Sequence, residues 1–463
     1  MPPATTPRRP GPPAPRSPIP PGTTPPLIRF PWTAGCGSPP RVPPWPSPLA
    51  RIRRGRPVTP GGRPALPGPP RRGRATAAGC PQIPARNTRL RFYGLAALAY
   101  AAFGSLFQVF PPFLTALQRE FVIGQVPASL TMTAFLVPLA LFSLPLGAAV
   151  DRRGPRRVGL LGFAVLLGGA GLTAAASSLP LLLAGRVVAG AGGAMALLAV
   201  LRVLTARVPA ASLGTAFGLF IAGLPIGTGF DFDVLNHLGS WRLATIAAMG
   251  TAVAAAAVFW WLAPRGAPPA PQPAIRTILA HPVLRRVSLL VAVGYTAILA
   301  FTTWSPTKLT AYGHLAAGSA ALITSVALLV DIPFSPLWGL VSDRLGRRKP
   351  FVAGAFLIFG VPAFAIPAAA PLGLGVLLLI VAGMGVGCAM FFPVVLTLPR
   401  PLVGEDQVGA AYGLFLTAQA LGMAVGPLAV GFVFTGASIV LGFVTIGALM
   451  AAGFLVALPL RAR

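Results

Sequence analysis

From Phe92 onward the chain is a succession of apolar runs broken by short polar segments, and this pattern constrains the fold more than any other feature. Twelve runs lie near residues 92–114, 127–150, 158–178, 180–204, 213–234, 241–263, 286–307, 317–341, 351–369, 372–398, 409–433 and 437–459. At about 1.5 Å per residue in a helix, each is long enough to cross about 30 Å of hydrocarbon. The composition agrees. Only 10% of residues are charged and 55% are hydrophobic, against about 25% charged in soluble domains. A chain so poor in charge cannot cover a water-facing surface, whereas a bilayer is itself an apolar solvent. Proline within several runs (Pro111, Pro225, Pro333, Pro393, Pro427) is tolerated where neighbouring helices satisfy the freed backbone groups. The expected fold class is therefore an all-α polytopic membrane protein with twelve transmembrane helices.

The net charge of +29 is unevenly spread. Sixteen of the 37 basic residues precede residue 92, and none of the eight acids precedes Glu120. Residues 1–91 also hold half of the 54 prolines and no long apolar run. Such a segment cannot bury enough surface to offset its ordering entropy, so it is expected to be a disordered tail. A basic arm attracted to anionic lipid is one reading of it; upstream sequence that is never translated, with a start nearer Arg89, is the preferred one. The remaining basic residues sit between runs, which is the pattern of membrane topology and excludes a nucleic-acid surface. Arg152, Arg153, Arg156, Arg157, Arg202, Arg207, Arg344, Arg347, Arg348, Lys349 and Arg400 fall on one side. By the positive-inside rule that side is cytoplasmic and both termini lie there, which an even number of spans requires. The expected location is the cytoplasmic membrane.

The second half repeats the first. Gly147-Ala-Ala-Val-Asp151-Arg152-Arg153-Gly154 recurs as Gly339-Leu-Val-Ser-Asp343-Arg344-Leu-Gly346, and Val188-Ala-Gly-Ala-Gly192 as Val381-Ala-Gly-Met-Gly385. Gly214-Thr-Ala-Phe-Gly-Leu-Phe recurs as Gly409-Ala-Ala-Tyr-Gly-Leu-Phe. The order and near-constant offset divide the chain into a six-helix bundle at 92–263, a Pro-rich cytoplasmic linker at 264–285 and a second bundle at 286–463. Two similar bundles are a recurrent architecture for alternating access to a site at the midplane.

The motif after runs 2 and 8 resembles the cytoplasmic signature of the major facilitator superfamily. It comprises Gly147, Asp151, Arg152, Gly154, Arg156 and Arg157 in the first half, and Gly339, Asp343, Arg344, Gly346 and Arg347 in the second. Arg186-Val-Val-Ala-Gly190-Ala-Gly192 resembles the family's fourth-helix motif, and Ser240-Trp241-Arg242 the start of its sixth helix. The resemblance implies a gate: Asp151 would meet the start of run 11 near Gly409, and Asp343 the start of run 5 near Ser212. A carboxylate at a helix N-terminus is favourable, so breaking these contacts would bias a two-state equilibrium. Arg153 and Arg348 are read as serving topology alone. The family's antiporters carry a Gly-Pro pair in helix 5. Here the place reads Gly223-Leu224-Pro225, which counts against export by proton exchange and leaves open a symporter or uniporter like the superfamily's cyanate or other small-anion carriers.

Residues that break the repeat are candidates for the transported species. Arg186 has Leu379 at the same offset, and Asp331 has Leu139. Asp331 lies twelve residues before Asp343, about 18 Å into the membrane. Charges there are costly and mark pathways, relays or ligand sites. Asp331 could carry a proton, and Arg186 could hold an anion or only tie helices through backbone carbonyls. Gln108, Tyr295 and Gln419 could line a cavity, though such residues also join helices. Asp231, Asp233 and His237 could form an outer mouth. The glycines of runs 4 and 5 point to close helix packing rather than phosphate binding.

The function read from these features is a secondary active transporter, acting as a monomer in a lipid bilayer on a small-molecule substrate and coupled to protons. No cofactor, metal site or nucleic-acid partner is expected. The three cysteines and three histidines have no metal or redox spacing. A polytopic membrane enzyme would need clustered catalytic groups, and a transporter-like receptor a folded signalling domain.

Overall fold

The computed structural model describes residues 86–265, 275–313, 315, 317–436 and 439–460. Most of the tail read at 1–91, and residues 266–274 of the linker, lie outside these. Among the described residues there are fourteen α-helices and no strand. They are α1 (Arg86–Gln108), α2 (Leu114–Phe121), α3 (Gln125–Arg153), α4 (Pro155–Ala174), α5 (Leu179–Arg207), α6 (Leu213–Asp233) and α7 (Trp241–Leu262). The short α8 (Ile275–Ala280) precedes α9 (Pro282–Gly313), α10 (Ala317–Leu345), α11 (Lys349–Ala369), α12 (Leu374–Leu396), α13 (Val408–Gly436) and α14 (Ile439–Ala457). Twelve of these, all but α2 and α8, are long and apolar enough to cross a membrane.

Helix ends follow local chemistry. α1 stops at Gln108 because Pro111 and Pro112 have no N–H to donate to the carbonyls four residues back. α3 ends on Gly154, whose φ of 85° suits glycine alone, and Pro155 then opens α4. Gly346, with φ 63°, ends α10 in the same way. Within the first bundle, α4 and α5 meet along a seam of small residues. A Cβ on Gly169 would lie 2.2 Å from the Ala189 nitrogen, and one on Gly192 2.2 Å from the Leu166 nitrogen. Close backbone approach of this kind is how helices associate where lipid offers no hydrophobic drive.

The two bundles meet through α3 against α13 and α6 against α10. These pairs are exchanged by the repeat, so the interface has approximate twofold symmetry. The registers differ between helix pairs. Residues 147 and 339 differ by 192, whereas 214 and 409 differ by 195. Gly190 abuts the Phe135 carbonyl and Gly385 the Ala327 carbonyl, and 135 and 327 are again 192 apart. Gly190 therefore corresponds to Gly385, and the counterpart of Arg186 is the buried Val381 rather than the lipid-exposed Leu379. Connections of unequal length between repeated helices account for the slip. Leu141, Phe142, Leu379 and Leu428 are exposed on the outer surface of the bundles, as expected of residues that face lipid.

Candidate functional site

At the end of the bundles that bears the repeated motif, each aspartate reaches into the other half. Asp151 on α3 is buried; its Oδ1 accepts from the Gly409 N–H at 2.8 Å and its Oδ2 from the Ala410 N–H at 2.9 Å. Both donors belong to the first turn of α13, where backbone N–H groups have no intrahelical acceptor. Asp343 on α10 does the same at α6. Its Oδ1 accepts from the Gly214 N–H at 3.0 Å, and its Oδ2 from the Thr215 N–H at 2.7 Å and hydroxyl at 2.9 Å. Glycine is required beside each contact, because a Cβ on Gly147 would lie 2.1 Å from the Gly409 carbonyl oxygen and one on Gly339 2.2 Å from that of Gly214.

Two arginines that the sequence assigned to topology belong to this site. Arg202 Nε lies 3.3 Å from Asp151, and Arg348 Nη2 donates to Asp343 at 2.8 Å and its Nη1 to the Ser342 hydroxyl. Nothing in the linear pattern separates these two from their neighbours; only the fold brings them onto the carboxylates. Arg202 also donates to the Glu405 carbonyl at 2.6 Å, and Arg400 to the Val208 carbonyl at 3.3 Å, both across the two halves. Of the other motif residues, Arg152, Arg153, Arg157, Arg344 and Arg347 are exposed. Arg156 donates to the Ala263 carbonyl at 3.0 Å and lies over the Trp260 ring at 4.5 Å.

Midway along the bundles, both halves contribute to a polar and aromatic cluster. Gln419 on α13 donates to the Tyr100 hydroxyl of α1 at 3.0 Å, and the Tyr100 and Tyr295 hydroxyls are paired. Asp331 on α10 is buried, accepts from the Ser335 hydroxyl at 2.7 Å and lies within electrostatic reach of Tyr100, Tyr295 and Cys388. Rings close the cluster from both sides: Phe220 stacks on Tyr100 and Phe392 packs on Tyr295, each with centroids 4.2 Å apart. The structure thus gathers Tyr295, Gln419 and Asp331, which the sequence singled out separately, and adds Tyr100, which it did not. Tyr100 looked like one more aromatic of an apolar run.

The family model of the Major Facilitator Superfamily matches residues 96–318 and 307–463. The chain belongs to this superfamily. A chloramphenicol resistance protein of Streptomyces lividans is 30% identical over 315 residues, covering 64% of this chain and 78% of that protein. Two solved structures share the fold at a TM-score of 0.68. The human organic anion transporter MFSD10 is 16% identical, covering 80% of this chain and 99% of its own. The proton:xylose symporter XylE is 14% identical, covering 80% and 95%.

Within this superfamily member, Arg186 and Gln108 stand apart from the central cluster. Arg186 is buried near the end remote from the motif, which we call the far end. Its Nε donates to the Thr131 carbonyl at 2.8 Å, its Nη2 to that of Phe107 at 2.8 Å and its Nη1 to that of Leu106. The Phe135 and Phe110 rings flank the guanidinium at 4.5 and 4.9 Å. The Leu106 and Phe107 carbonyls belong to the last turn of α1, where carbonyls have no intrahelical donor, so Arg186 caps α1 and ties it to α3. This is the tie through carbonyls that the sequence left open. Gln108, half-buried, is the last residue of α1.

The acid that the structure places differently from the sequence reading is Asp231. It is 0% exposed rather than part of a wet mouth. The Ser105 hydroxyl donates to its Oδ1 at 2.5 Å, and the charges of Asp231 and Arg186 interact. The far end also explains Trp241-Arg242. The Trp241 indole N–H donates to Glu120 at 2.7 Å, Arg242 pairs with Glu120 at 2.6 Å, and Arg242 donates to the Ala176 carbonyl at 2.8 Å. That set fastens α2 to the start of α7 and the end of α4. Burial works against ionisation of Glu120, but its two partners outweigh it and hold the carboxyl below the usual range.

Proposed function

We propose that this chain is a proton-driven secondary transporter that exports a small, uncharged solute with aromatic character by alternating access. The observation that carries this reading is the Tyr100–Tyr295–Gln419–Asp331 cluster, which is built from both halves and lies between the latched motif end and the far end. A solute held there by ring stacking and a few hydrogen bonds contacts both halves at once, so it can couple to their rocking. Asp331 is the carboxyl that would exchange a proton with the solute's passage. The basic residues concentrated at the motif end support a cytoplasmic location for that end by the positive-inside rule. The similarity to a chloramphenicol resistance protein supports outward transport and makes chloramphenicol the first compound to test. The cyanate-like alternative, which rests on Leu224 standing where the antiporters carry glycine, gains no support from Arg186, whose fork is engaged with backbone carbonyls.

Proteoliposomes with an imposed pH gradient test the proposal. Labelled chloramphenicol should accumulate, a protonophore should abolish the accumulation, and Asp331→Asn should remove its dependence on the gradient. Accumulation that persists with protonophore would exclude proton drive. Full coupling in Asp331→Asn would exclude that residue.

A further inference from the structure

The repeat provides an internal control for the residues in the interfaces it duplicates, and Asp231 is a place where the two copies differ. In the first half α6 packs on α1, with Gly223 against the Ala97 carbonyl and Gly227 against that of Ala101. In the second half α13 packs on α9, with Gly422 against the Ala292 carbonyl and Gly426 against that of Thr296. With the offset of 195 for these helices, Gly227 corresponds to Gly422 and Asp231 to Gly426. One copy therefore continues its glycine seam where the other inserts a carboxylate. Packing between these helices has no need of an acid at this level.

The carboxylate that is inserted is incompletely satisfied. Oδ1 receives the Ser105 hydroxyl, while Oδ2 is buried with no hydrogen-bond partner among the described residues. An ionised oxygen left bare in a desolvated place is costly, and a free acceptor there is a place for a donor to bind. The charged group that acts on it is Arg186 from α5. Around it, α1 brings Ser105; Asp331 on α10 and Cys388 on α12 lie nearer the motif end; Asp233 follows on α6 itself; and His237, in the turn after α6, is exposed. Asp231 lies seventeen residues beyond Gly214, about 26 Å from the motif end, against about 18 Å for Asp331.

Building on the proton-driven reading, we infer that Asp231 is a second proton site of this transporter, placed further toward the far end than Asp331, with Arg186 as its fixed counter-charge. One proton from water binds Oδ2 and converts the carboxylate to the neutral acid; its release restores the negative charge, which Arg186 favours through the field of its guanidinium. The change is felt by α1, because Ser105 holds the carboxyl and Arg186 holds the next two carbonyls, Leu106 and Phe107. Tyr100 of the central cluster stands on the same helix, five residues before Ser105. Proton occupancy at Asp231 is thereby linked to the solute site through one rigid element.

Two measurements on the full chain test the inference. Infrared difference spectra of the reconstituted wild type between about pH 5 and about pH 9 should contain a protonated-carboxyl band that both Asp231→Asn and Asp231→Gly remove. The glycine variant restores what the second half carries at this place, so it should fold where a less compatible change would not. In proteoliposomes both variants should lose about tenfold or more in gradient-driven accumulation, while solute-for-solute exchange, which moves no net proton, falls less than about twofold. An unchanged carboxyl band in both variants overturns the inference whatever the transport result. A wild type that fails to accumulate solute, with the Asp231 band present, counts against the transport reading alone. A coupled wild type with equally coupled variants overturns the role of Asp231 in the cycle.

Discussion

Asp151→Ala is the perturbation that most directly tests the motif end as a latch. In the structure the carboxylate accepts two backbone N–H groups of α13 and lies 3.3 Å from Arg202. Hydrogen bonds to a charged group contribute about 1.5–3 kcal/mol each, and the α13 dipole adds up to about 2 kcal/mol in a partly buried setting. Against this stands the cost of desolvating the carboxylate, several kcal/mol. A net loss of about 3 kcal/mol on removal is therefore expected, all of it from the state in which the motif end is closed. At 1.4 kcal/mol per factor of ten, that shifts the closed–open equilibrium by about 150-fold toward opening at the motif end. Spin labels at Arg153→Cys and Pro401→Cys, in a chain with Cys36, Cys80 and Cys388 replaced by serine, would read the separation of the two halves. The variant should insert in the membrane normally, show a longer distance population that the unsubstituted chain lacks, and transport slowly because it rarely recloses. An unchanged distance distribution together with full transport would refute the latch.

Gly147→Ala should open the same end by sterics alone, since its Cβ would overlap the Gly409 carbonyl; the same label pair reports it, and Asp151 remains intact as the control. Glu405→Gln should shift that equilibrium by less than about 1 kcal/mol, because its side chain is 69% exposed and the pair is screened. Arg186→Lys should lower the thermal unfolding temperature markedly, because a point charge cannot reproduce a fork that serves three carbonyls, and a partly paired buried charge costs about 3–5 kcal/mol. Glu120 is held below its usual value of 4.5, so the stability it adds is present above that pH and fades as the pH falls through the lower folded value. Melting curves of wild type and Glu120→Gln should therefore differ at neutral pH and converge in acid.

The architecture was legible because the membrane imposes a length and a polarity on every span, and both are written in the linear pattern. Helix ends were less so: α1 ends at Gln108 rather than near residue 114 because Pro111 and Pro112 act on carbonyls four residues back, an effect hydropathy does not register. The aspartates of the motif stood out through their repetition, whereas Arg202 and Arg348 did not, since their role depends on which helix end faces them. Tyr100 and Asp231 were hidden for opposite reasons. Tyr100 was camouflaged by its aromatic neighbours, and Asp231 lay close enough to a helix end to suggest water. The repeat held the signal for Asp231 all along, but only at the offset of 195 that applies to α6 and α13, and a single offset for the whole chain obscured it.

That difference in offset bears on how the two halves divide their work. The latches are nearly symmetric: each aspartate caps the helix of the other half, beside a glycine pair in backbone contact. A symmetric device can hold two states of similar energy but cannot choose between them. The choice must come from what the repeat does not share, namely Asp331 on one side and the Asp231–Arg186–Ser105 group on the other. Asp331 lies within electrostatic reach of Tyr100 in the first half and of Tyr295 and Cys388 in the second, whereas the Asp231 group lies wholly within the first. On the proposed reading a proton on Asp331 would alter the interface directly, and one on Asp231 would alter it through α1. Replacing Ser105 with alanine should then weaken the effect of far-end pH on transport while leaving the latch distances unchanged, because it removes the direct hydrogen bond from α1 to Asp231 and touches neither interface. A Ser105→Ala chain whose latch distances change would place Asp231 in the gate itself.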